Sequence, residues 1–275
     1  MTDNNIVQVP HVMLNYPFFF VANNPKEGFL YRKPNRYGDL ITISAEQTPR
    51  VREAIVFLAA LIFVQDKDIK KEPEFDNPKR VTISISKKEW MKTAGFGRSS
   101  HDTKAFEDAI DILSKVSYAV EPGKALRLKK YQDITFTKRP KGKDLPFTKA
   151  IYPGLFGDVD FNEDGTVTIR ILRNFVQDLD KRALRVSLTH MLQVRGHIAR
   201  VLVFMLYGKK SWAGSWEELA ELVRIDTWSE KRYQRRALRK AITELDKKGF
   251  TCQVSKNSVL IKRTIGLPKM LPDYK

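Results

Sequence analysis

The chain lacks most of what would mark a secreted, membrane-spanning or metal-dependent protein. Its one cysteine, Cys252, leaves no internal disulfide framework and fits a reducing, cytoplasmic setting. Cys252 falls between Thr251 and Val254 in a predicted strand, where a buried, inert thiol is expected. No apolar run approaches the ~20 residues that span a bilayer; the longest, residues 54–64, is far shorter. The opening Met1-Thr2-Asp3-Asn4-Asn5 carries no basic segment followed by an apolar one, so no secretory leader is expected.

Catalytic signatures are missing too. Gly208-Lys209-Lys210-Ser211 lacks the upstream glycine and the spacing of a phosphate-binding loop. His11, His101, His190 and His197 fall in no metal-ligand spacing with one another or with Cys252. There is no His-x-His pair of the kind that holds the metal of a rolling-circle nicking enzyme. Asp160-Phe161-Asn162-Glu163-Asp164-Gly165 imitates the first half of a calcium loop. Position 12 of that loop, however, is Ile171, and residues 166–171 alternate like a strand. An acidic hairpin turn is expected there, and neither an enzyme, a cofactor nor a metal site overall.

What the chain has in excess is positive charge. Forty-nine Lys and Arg against 32 Asp and Glu leave a net +17, which attracts nucleic acid or an anionic membrane. With no spanning segment or leader, nucleic acid is the better fit. A hydrophobic content of 42% is enough for a folded core across one large or two ordinary domains.

Residues 16–21, with three consecutive phenylalanines, are expected as a buried strand or core plug, and residues 40–43 as a strand. Pro49 is placed in the first turn of a helix to about Val64, apolar nearly all round and so central to a core. Residues 67–78 form a charged loop ending at Asn77-Pro78.

A pattern then begins that recurs 129 positions later. Residues 81–85 alternate like a strand, and Ser86-Lys87-Lys88-Glu89 is a capping box. The short helix it opens stops at Gly95; Ser100 opens a second, to about Ser117. Residues 118–120 and 126–128 read as a hairpin across Pro122-Gly123. In the later copy Ser215-Trp216-Glu217-Glu218 is a second capping box, Ser229 matches Ser100, and a hairpin turns at Lys256-Asn257. Ala109, Ile112, Leu113 and Val116 align with Leu238, Ala241, Ile242 and Leu245. Each copy follows a strongly apolar helix (49–64 and 196–207). The fold class expected is therefore α+β, with two tandem winged helix-turn-helix domains related as an internal repeat. The first occupies residues 1–150 with N-terminal strands, the second residues 151–275, joined near the basic stretch 138–156.

The second long helix carries the sharpest functional signal. Residues 229–249 contain eight Lys or Arg and three acids. On a 100° wheel Ala241, Ile242 and Leu245 fall within about 60° of Leu238, forming one core stripe. Arg232, Tyr233, Arg236, Arg239, Lys240, Thr243 and Lys247 fall between roughly 100° and 220°. None is acidic, whereas an ordinary solvated face mixes signs for i,i+4 pairing. The second helix of a helix-turn-helix enters the major groove. Arginine reads guanine edges there, while Lys and Thr hold phosphates. The candidate DNA-binding set is these seven with Arg235, plus Lys256 and Asn257 on the hairpin turn.

The equivalent helix of the first copy bears Glu107 and Asp111 where the second has Arg236 and Lys240. Those carboxylates repel phosphate, so the first domain is assigned backbone contacts or a dimerisation surface. Its phosphate-contacting candidates are Lys129, Lys130, Lys138, Arg139, Lys141 and Lys143, in a cluster that also holds Lys124, Arg127 and Lys149.

Residues 80–90 with the helix over 103–114, residues 194–206, Ser215-Trp216-Glu217-Glu218-Leu219, and the helix over 232–245 together carry a resemblance. They resemble the iteron-binding plasmid replication initiators, most closely the TrfA type, over residues 16–263. That resemblance implies binding to double-stranded direct repeats at an origin, origin opening, copy control, and recruitment of host replicative helicase and initiator proteins. It also implies a homodimer through the first winged helix, and a sliding-clamp contact. The nearest clamp-binding segment, Gln132-Asp133-Ile134-Thr135-Phe136, departs from the family by lacking a Leu-Phe ending. A winged-helix repressor, a partition protein and a winged-helix scaffold remain open as alternatives.

Overall fold

The computed structural model describes residues 5–10, 13, 18–21, 27–34, 40–66, 71–73, 79–121, 150–152, 154–173, 175–176, 179, 183–207, 210–225, 230–246 and 248–264. Its centre is the helix α1, Val51–Gln65. Eleven of its fifteen residues are buried, the side-on consequence of a sequence apolar nearly all round. It begins two residues after Pro49, with Arg50 at the cap and Glu53 returning a carboxylate to the Arg50 N–H at 2.7 Å. Glu53 is itself wholly buried, and the Arg52 Nε donates to it at 2.9 Å.

Residues 18–21 act as a plug rather than a strand. Phe18 meets Phe57 of α1 edge-on at 5.1 Å, and Phe19 meets Phe204 at 5.2 Å. Phe204 belongs to a second apolar helix in the later half. Three successive rings thus tie both halves of the molecule into one continuous core. The third, Phe20, packs on Phe29 and Tyr31 of β2 (Glu27–Pro34) at 4.8 and 5.2 Å.

Two four-stranded antiparallel sheets build the first half. One runs β2, β3 (Leu40–Gln47), β6 (Ser117–Glu121), β7 (Ala150–Tyr152). The other runs β4 (Glu72–Pro73), β5 (Arg80–Ser86), β9 (Thr166–Leu172), β8 (Val159–Phe161). Val81, Ile83 and Ile85 of β5 alternate into the core, as do Val167, Ile169 and Ile171 of β9. Between β5 and β6 come α2 (Lys87–Thr93) and α3 (Ser100–Ser114). Ser86 caps α2 by accepting from the Glu89 N–H, and Gly95 ends it at φ +78°, a left-handed C-terminal stop that favours glycine. The cap of α3 is Ser99, one residue before the expected start, accepting from the Asp102 N–H at 3.1 Å.

In the second half β10 (Ala183–Ser187) leads into α4 (Leu188–Gln193) and α5 (His197–Tyr207). Then follow β11 (Ser211–Ser215), α6 (Trp216–Leu222), α7 (Lys231–Asp246) and the hairpin β12 (Phe250–Val254) and β13 (Ser258–Arg263). The strand order β11-β13-β12 closes a winged helix, the strand before the first helix pairing with the far arm of the wing. Here the capping box is complete: Ser215 accepts from the Glu218 N–H at 3.1 Å, and Glu218 accepts from the Ser215 N–H at 2.7 Å.

The expected equivalence of the two halves does not extend to the strands. The two helices are present in both, with all four aligned core positions buried. Yet β5 pairs with β4 and β9, whereas β6 pairs with β3 and β7, so among the described residues β5 and β6 lie in different sheets. The reason lies in edge occupancy. Tyr118, Ala119 and Val120 pair on one side with Ile43, Thr42 and Ile41, and on the other with Tyr152, Ile151 and Ala150. Both edges of β6 are thus taken; the hairpin expected across Pro122-Gly123 to residues 126–128 lies outside the described residues. Strand pairing of the first half also runs past the expected boundary at residue 150, through Leu172. Strand β1 (Ile6–Pro10) crosses furthest, pairing antiparallel with β10.

Residues 160–165 end β8 and form the acidic hairpin turn into β9. Asp164 Oδ1 accepts from the Thr166 N–H and hydroxyl at 2.9 and 2.7 Å, Asp160 pairs with Arg170 at 2.7 Å, and Ile171 is in the core. Among the described residues no helix is long and apolar enough to cross a membrane.

Candidate nucleic-acid interface

Helix α7 takes its position from its apolar stripe. Leu238, Ala241, Ile242 and Leu245 are buried, one turn apart on a single side. Arg232, Tyr233, Arg236, Arg239, Lys240 and Thr243 are all exposed on the others, and Arg235 is half-buried. Tyr233, 55% exposed, is a large ring left in solvent at the start of the helix. The Thr243 hydroxyl is spent within the helix, donating to the Arg239 carbonyl at 3.0 Å.

The acids of α7 are turned away from this face. Glu244 reaches across to α5, where its carboxylate accepts from the Arg195 and Gly196 N–H groups at the start of that helix, the latter at 3.1 Å. Asp246 accepts from the Cys252 N–H at 2.9 Å and so fastens the base of the wing. Both carboxylates that α7 carries are engaged by backbone donors, and the cationic face keeps its charge undiluted. The helical wheel already leaves the acids off this face; what it cannot show is which backbone donors hold them.

Cys252 beside Asp246 is half-buried rather than fully so. Burial, then the nearby carboxylate, pushes its thiol up to about 11, consistent with an inert group.

Behind α7 stands Trp216, the first residue of α6. The guanidinium carbons of Arg235 and Arg239 both lie 5.6 Å from its ring, and Arg235 also reaches Glu217 Oε1 at 3.8 Å. The indole N–H donates to the Ser255 carbonyl at 3.3 Å, at the root of the wing turn. Lys256 and Asn257 are exposed at the apex of that turn. The sequence marks Trp216 only as part of a capping box; its meeting with two arginines needs the tertiary fold.

Helix α3 differs in kind. Glu107 pairs with Lys87, while Lys115 bridges Asp111 at 3.1 Å and Glu46 at 2.7 Å. The hydrogen bonds that Lys115 donates to Glu46 first, then Asp111, raise its pKa. That mixed-sign surface neutralises itself, where α7 does not. Of the remaining candidates, Lys129, Lys130, Lys138, Arg139, Lys141, Lys143 and Lys247 lie outside the described residues, as do Ser229 and the segment 132–136. Glu121 and Ala150, the described residues on either side of 122–149, lie on the adjacent strands β6 and β7.

The wing is also coupled to α4 and α5 through His190. Its Nε2 donates to the Lys248 carbonyl at 2.6 Å, its Nδ1 accepts from the Tyr207 hydroxyl at 2.9 Å, and its ring stacks on Phe250 at 5.4 Å. Burial holds its pKa below the ordinary 6.5, outweighing the Lys248 hydrogen bond. A folded pKa below the unfolded one gives stability that is present above pH 6.5 and lost as pH falls through the folded value. The thermal midpoint should therefore drop on acidification below about pH 6.5, and His190→Gln should flatten that dependence. An unchanged slope in the variant would remove His190 as its source.

Fold and surface together define a class: a mixed α/β chain whose later half is a winged helix with a segregated cationic second helix. Solved structures to which the chain is similar include those of RctB. Its domains 2 and 3, as a selenomethionine derivative, are similar at a TM-score of 0.55 and 11% identity, covering 94% of this chain and 99% of that one. A second structure of RctB domains 2–3 gives a TM-score of 0.49 at 12% identity, covering 90% and 95%. The likeness to the first is one of fold. No protein-family model matches the sequence, and no match is found among curated proteins.

Proposed function

We propose that the chain is a non-enzymatic, cytoplasmic replication initiator that binds double-stranded DNA by sequence, at direct repeats in the origin of a plasmid or phage-plasmid. The observation that carries the DNA-binding half is the face of α7. It holds four exposed cations and no acid, while Glu244 and Asp246 accept from backbone N–H groups at Gly196 and in the wing. A winged helix presents such a face to the major groove, with the wing turn at Lys256 and Asn257 beside it. The initiator half rests on the motif resemblance to iteron-binding initiators of the TrfA type. The similarity to RctB domains 2 and 3 supports the fold on which both depend. On this reading the first half, with its self-paired α3, contributes dimerisation or backbone contacts. Host helicase and initiator proteins, and the sliding clamp, are the partners to be sought.

The test is footprinting of the purified protein on DNA flanking its own gene. Protection of several evenly spaced direct repeats beside an AT-rich stretch that becomes reactive to single-strand probes is the expected result. Protection of one palindrome without opening favours a repressor. Indifference to sequence ends the reading.

A further inference from the structure

We propose that Trp216 is a positioning residue that sets the recognition helix and the wing as one DNA-facing unit, an inference that deepens the DNA-binding reading and rests on it. Trp216 is 2% exposed, yet it sits directly behind the cationic surface. Arg235 and Arg239 are four residues apart, one helical turn, so both side chains leave α7 on the same side and reach the same indole, each at 5.6 Å. A guanidinium stacked on a ring keeps its in-plane N–H donors free for phosphate or guanine. Stacking also restricts two long side chains before DNA arrives, lowering the ordering cost of binding.

The other edge of the indole fixes the wing. Its N–H donates to the Ser255 carbonyl at 3.3 Å. Ser255 in turn builds the wing turn, its hydroxyl accepting from the Ser258 N–H at 2.9 Å and the Asn257 N–H at 3.3 Å. Lys256 and Asn257 thus project from a turn whose first carbonyl Trp216 holds. One ring therefore meets both groups that the reading assigns to DNA, one through its face and one through its N–H.

A double-mutant cycle tests this on two probes: the duplex protected in footprinting and a random-sequence duplex of equal length. Trp216→Leu should weaken binding to the protected duplex about three- to thirty-fold. In an Arg235→Ala/Arg239→Ala background the same substitution should cost clearly less, since only its hold on the wing turn is then left to lose. Equal losses in both backgrounds would overturn the inference. Trp216→Phe keeps a ring face but no N–H donor, and its loss should be non-additive with Lys256→Ala. That second cycle decides the matter should the leucine variant fail to fold, and additivity there is likewise fatal. The wild-type arm separates the two levels. If wild type binds neither duplex, the DNA-binding reading falls and this inference with it; if it binds and the cycles are additive, only the inference falls.

Discussion

Arg236→Ala should weaken binding to the protected repeat by about 1–3 kcal/mol, roughly 5- to 150-fold, while leaving thermal stability unchanged. Arg236 is exposed and, among the described residues, makes no ion pair, so its truncation removes nothing that holds the fold together. Its position on α7 is opposite the buried stripe of Leu238, Ala241, Ile242 and Leu245. An arginine there that reads a guanine edge loses a bidentate contact that nothing else replaces. Competition between repeat and random duplex provides the measurement. A similar loss on both would make Arg236 a phosphate contact, and no loss on either would take α7 out of the interface. Arg239 is a less clean site for the same experiment, because it also stacks on Trp216.

The second large effect concerns stability. Trp90→Ala should lower the unfolding free energy by about 3–5 kcal/mol, read from denaturant curves at constant slope. Trp90 is wholly buried, edge-on to Phe106 of α3 at 5.2 Å and to Phe156 at 5.5 Å. Its Nε1 donates to the Val56 carbonyl of α1 at 2.9 Å. Truncation thus opens a cavity between three elements and removes a buried donor. A loss below about 1 kcal/mol would mean that α2 is not anchored through this residue to the central helix.

The elements that could be read from sequence are those specified locally. The all-round apolar pattern of α1 and α5, the capping serines at Ser86 and Ser215, the glycine stop at Gly95, and the β12–β13 wing all depend on residues within a few positions of one another. The core stripe of α7 belongs here too, since a 3.6-residue period is legible without knowing what it packs on. What could not be read is pairing at a distance. Strand β6 takes Ala150–Tyr152 as a partner across a stretch of almost thirty residues, and β5 takes β9 some eighty residues away. An alternating strand announces its buried side but not its neighbour. The repeat between the two halves rests on caps and core positions, which are local and carry no sign that the strands of the first half are shared between two sheets. At the candidate interface the cations of α7 were legible one by one. That Glu244 serves α5 and Asp246 serves the wing was not, because both contacts are tertiary.

The pairing of β1 with β10 has a consequence in time rather than in space. Residues 6–10 leave the ribosome well before their hydrogen-bonding partner, residues 183–187. At about 5–20 residues per second, the first strand waits roughly 10–35 s for its mate. Over that interval a strand with buried valines at Val7 and Val9 has no native edge to join. Release of a nascent chain cut short before residue 183 would leave that strand orphaned, and such a fragment should aggregate or be degraded rather than persist as a free first domain.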